Sequence, residues 1–405
     1  MKKSRKHIRQ VALLIESSRA YGRGLLQGIA AYAQEHGNWS LRHQEMTINA
    51  EPPHWLTRWK GDGILVRAET PNMVRAIQKL GLPAIDLRCW RSTGKIPGFD
   101  TDDTSVVQLA VDHLRDRGFT QFAFCGFGGA NYSERRLFEM QKYVRELGYD
   151  VVAYESPGPS AATTFGAEQS GMLDQKGLAH WLTSLDKPMG VLACNDIRAQ
   201  QLLNVCHEIQ IHVPDEIAII GIDNDDVICP LCSPPLTSVE PSTHRIGYEA
   251  AATLERMMSG EVVPPEIYWV PARRIVVRSS TDAIPVDDAE FVKAYRFIRE
   301  NAFQGISVQE VADAVPMSRR ALERRMRTYL DRSPADLIAD IRLTRIKELL
   351  ETTSHPLKQI ARLTGFNHDE HMAKFFKKLV GIPPGQYRKK HRLESMLDGK
   401  ADLGE

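Results

Sequence analysis

Nowhere in the 405 residues does an apolar run approach the roughly 20 needed to cross a bilayer. The basic start, Met1 to Arg9, runs into only the short apolar patch Val11 to Ile15, so neither a membrane span nor an export signal is expected, and the cytoplasm is the expected location. Cysteine is scarce: the six residues all precede Ser280 and lack the spacing of a disulfide framework, which suits a reducing compartment. One close pair exists, in Cys229-Pro230-Leu231-Cys232, but no second pair or histidine stands at ligand spacing, which argues against a metal or redox centre. A G-x-x-x-x-G-K-[ST] phosphate loop and a G-x-S-x-G nucleophile elbow are also missing, which removes two common classes of enzyme.

What is present is enough apolar material, 42% of residues, for two or three globular units. A formal charge of +1 conceals an asymmetry. Residues 287–392 hold 21 Lys and Arg against 14 Asp and Glu, so the rest of the chain is acidic. An acidic body with a basic C-terminal piece is expected of a sensing domain joined to a nucleic-acid-binding one.

Short apolar runs suited to buried strands recur at Val11 to Ile15, Gly63 to Val66, Ala84 to Leu87, Phe122 to Cys125, Met189 to Ala193 and Ile217 to Ile222. Amphipathic segments of helix length alternate with them, among them Gly24 to Gln34, Thr104 to Arg115, Glu134 to Leu147, Lys176 to Ser184 and Ile197 to His207. The expected fold is α/β, parallel sheets with helices on both faces, with ligands bound beyond the carboxyl ends of the strands. Those ends are polar. Glu16 to Arg23 follow the first run, Arg135 and Arg136 the fourth, Asn195 and Asp196 the fifth, and Asp223 to Asp226 the sixth. Asp, Asn and Arg gathered in one cleft match the adjacent hydroxyls of a sugar. Taken singly, each suits a structural role equally: Asp196 and Asp102 as helix caps, Asn224 and Asp225 as turn formers.

The run Val213-Pro214-Asp215-Glu216-Ile217-Ala218-Ile219-Ile220-Gly221-Ile222-Asp223, with Pro234 to Val239 and Ile246 to Ala251 after it, resembles the effector domain of LacI/GalR regulators. Thr101-Asp102-Asp103, leading into a helix that ends at His113 to Gly118, does so too. The resemblance spans about Ile8 to Ser280 and implies two periplasmic-binding-protein-like lobes joined by three crossovers and closing on a small molecule. By position it implies ligand contacts from Arg135, Asn195, Asp196 and Asp223 on the second lobe, with Tyr21 and Arg23 as first-lobe candidates. LacI-type regulators carry a helix-turn-helix ahead of the first strand, and this chain reaches that strand almost at once, so a DNA reader is expected elsewhere.

Beyond Asp282 the pattern turns wholly helical. Asp287-Asp288 suit an N-cap before Phe291 to Asn301; Ser307 to Ala314 suit a short helix, Val315 to Met317 a turn, and Ser318 the cap of a helix running through Tyr329. There Leu322 and Met326 face inward, while Arg320, Glu323, Arg324 and Arg327, with Arg319 beside them, form an outer face suited to the major groove. The arrangement repeats: Leu357 to Leu363, a turn at Thr364-Gly365-Phe366, and a helix through Leu379 whose inner stripe is Met372, Phe376 and Leu379 and whose outer face holds His371, Lys374 and Lys378. A helix from Ala335 to Glu351, roughly 25 Å long, joins the two and is a rod able to hold recognition helices about one DNA turn apart.

This segment resembles the AraC/XylS-type all-α double helix-turn-helix domain through Ser318 to Arg325, Arg332-Ser333-Pro334, Ile341-Arg342-Leu343, Ile360 to Phe366, Phe375 to Lys378 and Gly381 to Arg388. That resemblance places Arg320, Glu323 and Arg324 in the first base-reading face and Asp369, His371 and Lys374 in the second. It departs from the family at Pro316, which stands for the usual glycine of the first turn, and at Met372, which stands for an aromatic residue.

The resulting division is a sensing domain over 8–284, a DNA-binding domain over 287–392 and a disordered tail over 393–405. Its order of parts is similar to that of bacterial xylose-operon regulators. The resemblance implies D-xylose as effector, no further cofactor, double-stranded promoter DNA and RNA polymerase as partners, and a homodimer activating sugar-catabolic genes. A sugar-modifying enzyme, or a sugar-binding module acting through protein contacts alone, is the alternative.

Overall fold

The computed structural model describes residues 8–390 except 38, 49, 91–93, 95, 158–163, 283–285 and 287; the tail expected over 393–405 lies outside the described residues. The chain divides into two compact units, Met1–Pro285 and Val286–Glu405.

The first unit is built on two six-stranded sheets. One holds β1 (Arg9–Leu14), β2 (Trp39–His43), β3 (Gly63–Val66), β4 (Ala84–Asp86) and β5 (Gly98–Asp102). The other holds β6 (Phe122–Phe127), β7 (Val151–Ser156), β8 (Met189–Ala193), β9 (Ile217–Ile222) and β10 (Thr237–Glu240). A late strand, β11 (Ile267–Pro271), returns to the first sheet, and β12 (Arg274–Val276) ends the second. The orders are β11-β5-β4-β3-β1-β2 and β12-β10-β9-β8-β6-β7, parallel throughout except where β12 runs antiparallel to β10. The chain therefore crosses between lobes three times: after β5, after β10 and after β11.

The central strands sit under helices on both faces, so every residue of β3, β6, β8 and β9 is buried and their sequences read as unbroken apolar runs. Edge strands carry less of that signal. Four of the five residues of β2 and three of the six of β7 are exposed; β2 has no apolar run, and the run Val151 to Tyr154 of β7 gives way to Glu155 and Ser156. In the first lobe the helices Ala20–His36 and Thr243–Met258 pack backbone to backbone. A Cβ on Gly28 would stand 1.9 Å from the His244 carbonyl oxygen, and one on Gly247 would stand 2.1 Å from that of Leu25.

The second unit is helical, and its boundaries follow from its caps. Asp288 accepts from Phe291 N at the start of Ala289–Asn301, and Ser318 from Ala321 N at the start of Arg319–Leu330. Ser307 with Glu310 and Ser333 with Asp336 form reciprocal capping boxes that open Val308–Asp313 and the 19-residue helix Pro334–Thr352. The first turn is made without any residue of positive φ: Met317 N donates to the Val315 carbonyl at 2.7 Å, which suits Pro316. The second uses Gly365 at φ 79°. Helices Leu357–Leu363 and Asp369–Val380 close on a core of Ile346, Leu350, Ile360, Met372 and Phe376. Leu379 does not join it and is 47% exposed. It shares the helical sector of Met372, but at that end of the unit the residues packed in or on the core are Phe376, Val380 and Tyr387.

Candidate functional site

The carboxyl ends of both sheets face one cleft of the first unit, with about 660 Å³ of empty space counting the part continuous with solvent. Arg19, Tyr21, Arg67, Arg88 and Asp100 line it from the first lobe. The second lobe contributes Tyr132, Arg135, Arg136, Glu168, Asn195, Asp196, Asp223 and Asp225, and Ile48, Ile197 and Ile228 add apolar surface.

Five arginines in one cleft would repel one another without counter-charges, and each has one. Arg67 pairs with Glu16, Arg88 with Glu69 at 2.6 Å, and Arg136 with Asp103 at 3.0 Å. Arg19 and Arg135 pair across the lobes, with Glu168 at 2.6 Å and Asp100 at 2.9 Å; Arg135 also reaches Asp103 and lies 5.1 Å from the Trp269 ring centroid. Burial opposes charge on Arg136, but Asp103 and Asp223 more than offset it and hold the guanidinium firmly protonated. These forks are thus fixed donors whose charge is already matched.

The carboxylates divide by how much acceptor capacity remains. Asp196 has most of its acceptor capacity taken: it accepts from Asp225 N at 2.8 Å, Ser238 Oγ at 2.6 Å and Cys229 Sγ at 3.3 Å. Burial, then the neighbouring Asp223, pushes its pKa up to about 7. Asp223 is different. Its side chain accepts no hydrogen bond among the described residues, and burial raises its pKa to about 6 against the pull of Arg136, Arg67 and Arg19. Its carboxylate therefore keeps its acceptor capacity free among the described residues. Asn195, not Asp196, caps the helix Asp196–Glu208: its Oδ1 accepts from Arg198 N at 2.9 Å, while its Nδ2 donates to the Tyr132 hydroxyl.

On the first lobe the Tyr21 hydroxyl meets Asp100 at 3.0 Å and Thr101 at 2.9 Å, so it is satisfied within its own lobe and offers the cleft its ring, stacked under Arg67. Arg23 does not line the cleft. It donates to the Ser18 carbonyl and reaches Asp225 and Asp226 of the other lobe at 3.4 Å, which makes it a clasp at the rim.

In the second unit the arginine-rich helix sorts its side chains into two sets. Arg325 turns to Asp288 and Glu290, each at 3.0 Å, and Arg319 pairs with Glu323 at 3.0 Å. Arg320, Arg324 and Arg327 are exposed and form no ion pair among the described residues. In the second recognition candidate Asp369, His371, Lys374 and Lys378 are all exposed, above buried Met372 and Phe376. Each helix presents cations over an anchored apolar stripe, as insertion into a groove requires.

Residues 111–281 match a periplasmic binding protein-like domain, and residues 311–390 match a helix-turn-helix domain. The xylose operon regulatory protein of Escherichia coli (strain K12) is 28% identical over 387 residues, covering 94% of this chain and 96% of that protein. Its counterpart in Haemophilus influenzae (strain ATCC 51907 / DSM 11121 / KW20 / Rd) is also 28% identical, covering 94% and 98%. A solved structure of a xylose-binding transcription activator, 28% identical, superposes with a TM-score of 0.76 over 94% of this chain and 98% of its own. Over almost its whole length the chain is similar to the xylose operon regulators. It is a transcriptional regulator and not an enzyme.

Five of the six effector-contact candidates read from the regulator's sequence line the cleft, and Arg23 stands at its rim. Arg67, Arg88, Asp100, Tyr132 and Glu168 escaped that reading. Arg67, Arg88 and Asp100 adjoin or lie on β3, β4 and β5, so a systematic search of strand ends would have reached them. Glu168 carries no such signal, because it enters from the middle of the helix Thr164–Leu173.

Proposed function

We propose that the first unit, residues 8–284, closes on a neutral polyhydroxylated effector, D-xylose first, and that the second, residues 287–392, reads promoter DNA with both helix-turn-helix elements to activate sugar-catabolic genes. The observation that carries this reading is Asp223: one open carboxylate acceptor in a cleft whose arginines are all paired, so that hydroxyls find donors and an acceptor while no guanidinium is left in need of an anionic ligand. The likeness to xylose operon regulators over almost the whole chain supports D-xylose as the sugar. Arg135, Asn195, Asp196 and Asp223, with the Tyr21 ring, form the contact set, and Arg23 acts at the rim. Arg319, Arg320, Glu323, Arg324, Arg327, Asp369, His371, Lys374 and Lys378 form the DNA-facing set. A homodimer engaging RNA polymerase in the cytoplasm completes the reading, with effector binding shifting the population of lobe arrangements.

Calorimetric titration with D-xylose, D-ribose, L-arabinose and D-glucose tests it. Heat with D-xylose in the wild type, lost in Asp223→Ala, is expected; equal heats with all four sugars, or none, would remove D-xylose as the effector.

A further inference from the structure

The end of β9 that enters the cleft and the last residues of the first unit are tied together by one arginine. Asp223 and Asn224, directly after β9, have φ of 111° and 47°, two consecutive non-glycine residues in a region that side chains disfavour. Neighbouring groups impose that conformation: Asp223 N donates to the Val239 carbonyl at 3.0 Å, Asn224 N to Ser238 Oγ at 3.0 Å, and Asp225 N to Asp196 at 2.8 Å. From the far side Arg278 donates through Nη2 to Asn224 Oδ1 and through Nη1 to the Leu236 carbonyl, both at 2.8 Å.

Arg278 opens the segment through which the chain leaves the sheet, and that segment is fixed. Arg278 N donates to Thr237 Oγ1 at 2.8 Å. Ser280 Oγ accepts from Thr237 N at 2.8 Å and donates to the Ile219 carbonyl at 2.6 Å, and Thr281 meets His113 at 2.8 Å. Residues 278–281 therefore keep their place on β9 and β10, and the chain passes from Asp282 towards the helical unit that begins at Val286.

We propose that Asn224 and Arg278 are positioning residues that carry occupancy of Asp223 to the exit segment, and so to DNA affinity. The proposal rests on the reading of the cleft as the effector site. A hydroxyl engaging the open carboxylate of Asp223 acts on a strained pair whose second member is held by Arg278. Any rearrangement of that pair alters the seat of Arg278, the residue from which segment 279–282 departs. Neither residue lines the cleft, so their loss spares sugar binding and removes its consequence. Coupling is reciprocal, so the same path makes DNA tighten or loosen sugar binding by the same factor.

The test uses the full chain and a duplex selected from a random library by the wild-type protein. DNA affinity is measured with and without D-xylose, and sugar affinity is measured by calorimetry. In Asn224→Ala and Arg278→Ala, sugar affinity stays within about threefold of wild type, while the ratio of DNA affinities falls from about 5–150 towards 1. Asn224→Asp keeps the Oδ1 acceptor and retains the ratio, which separates a broken path from a damaged fold. An unchanged ratio in both alanine variants overturns the proposal. A readout without sugar stands beside it. Hydrogen exchange over residues 276–282 responds to Asp223→Asn in the wild-type background and not with Arg278→Ala. A wrong effector leaves that result intact, whereas absence of any response in the wild-type background overturns the path itself.

Discussion

Arg19 and Glu168 meet across the two lobes at 2.6 Å, and the other oxygen of Glu168 accepts the Tyr132 hydroxyl at 2.9 Å. A nearly buried carboxylate of the second lobe is thus held by a cation of the first, and the Tyr132 hydroxyl keeps it aimed. Removing Arg19 leaves Glu168 under-paired in a poorly solvated place.

Arg19→Ala is therefore expected to cost on the order of 1–3 kcal/mol and to favour lobe opening. A lower melting temperature and a larger radius of gyration in X-ray scattering are the signatures. An unchanged scattering curve would mean that this pair does not hold the lobes together.

Sugar affinity is expected to fall as the pH drops through 6. Asp223, with its pKa raised to about 6 by burial, is mostly ionised at pH 7 and mostly protonated at pH 5. A hydroxyl donating to it favours the ionised form, so binding releases a proton at low pH and weakens there. Asp196, raised to about 7, protonates first and relieves the repulsion on its neighbour, which delays the loss. Calorimetry between pH 5 and 8 checks this; Asp223→Asn, weaker throughout, has a flat profile if the assignment holds.

On the DNA-facing helix, neighbouring arginines have different fates. Arg320→Ala with Arg324→Ala removes two cations that form no ion pair among the described residues and is expected to weaken binding to a selected duplex by roughly 1–3 kcal/mol for each base that these guanidiniums read, with sugar affinity unchanged. Arg325→Ala breaks the pairs with Asp288 and Glu290 and lowers the melting temperature of the helical unit instead. Survival of sequence-specific binding in the double variant would falsify the recognition assignment.

Gly365→Ala is expected to destabilise the helical unit by roughly 2–4 kcal/mol, since a Cβ there meets Gly305 N at 2.8 Å and the Phe303 carbonyl oxygen at 2.9 Å at a φ of 79°. Differential scanning calorimetry of the full chain would show one transition shifted down and the other in place. The same close approach holds the second turn against the segment before the first short helix, so DNA affinity falls even though no recognition residue changes.

How much was legible can be followed residue by residue. The buried strands β1, β3, β6, β8 and β9 announce themselves, because covering both faces of a parallel strand demands an unbroken apolar run. The exposed edge β2 does not, because solvent on one face permits almost any residue. Caps were legible where a short polar side chain precedes a helix, as at Ser318, and misread by one position at Asn195–Asp196, where two capping residues stand side by side. Leu379 has the periodicity of a core residue and not its burial, because periodicity gives direction and not the presence of a neighbour.

By itself the sequence determined two units, an α/β sensor and a basic helical reader, and the strand ends where polar groups would gather, since these follow from local periodicity, capping and charge. The tertiary structure alone decided which of those groups remain free. Asp196 and Asp223 are equivalent in sequence logic, yet three donors occupy one and, among the described residues, none reaches the other. The reason is physical: hydrogen-bond capacity is consumed by partners distant in the chain, such as Ser238 on Asp196 and Arg19 on Glu168, and only folding brings those partners within reach.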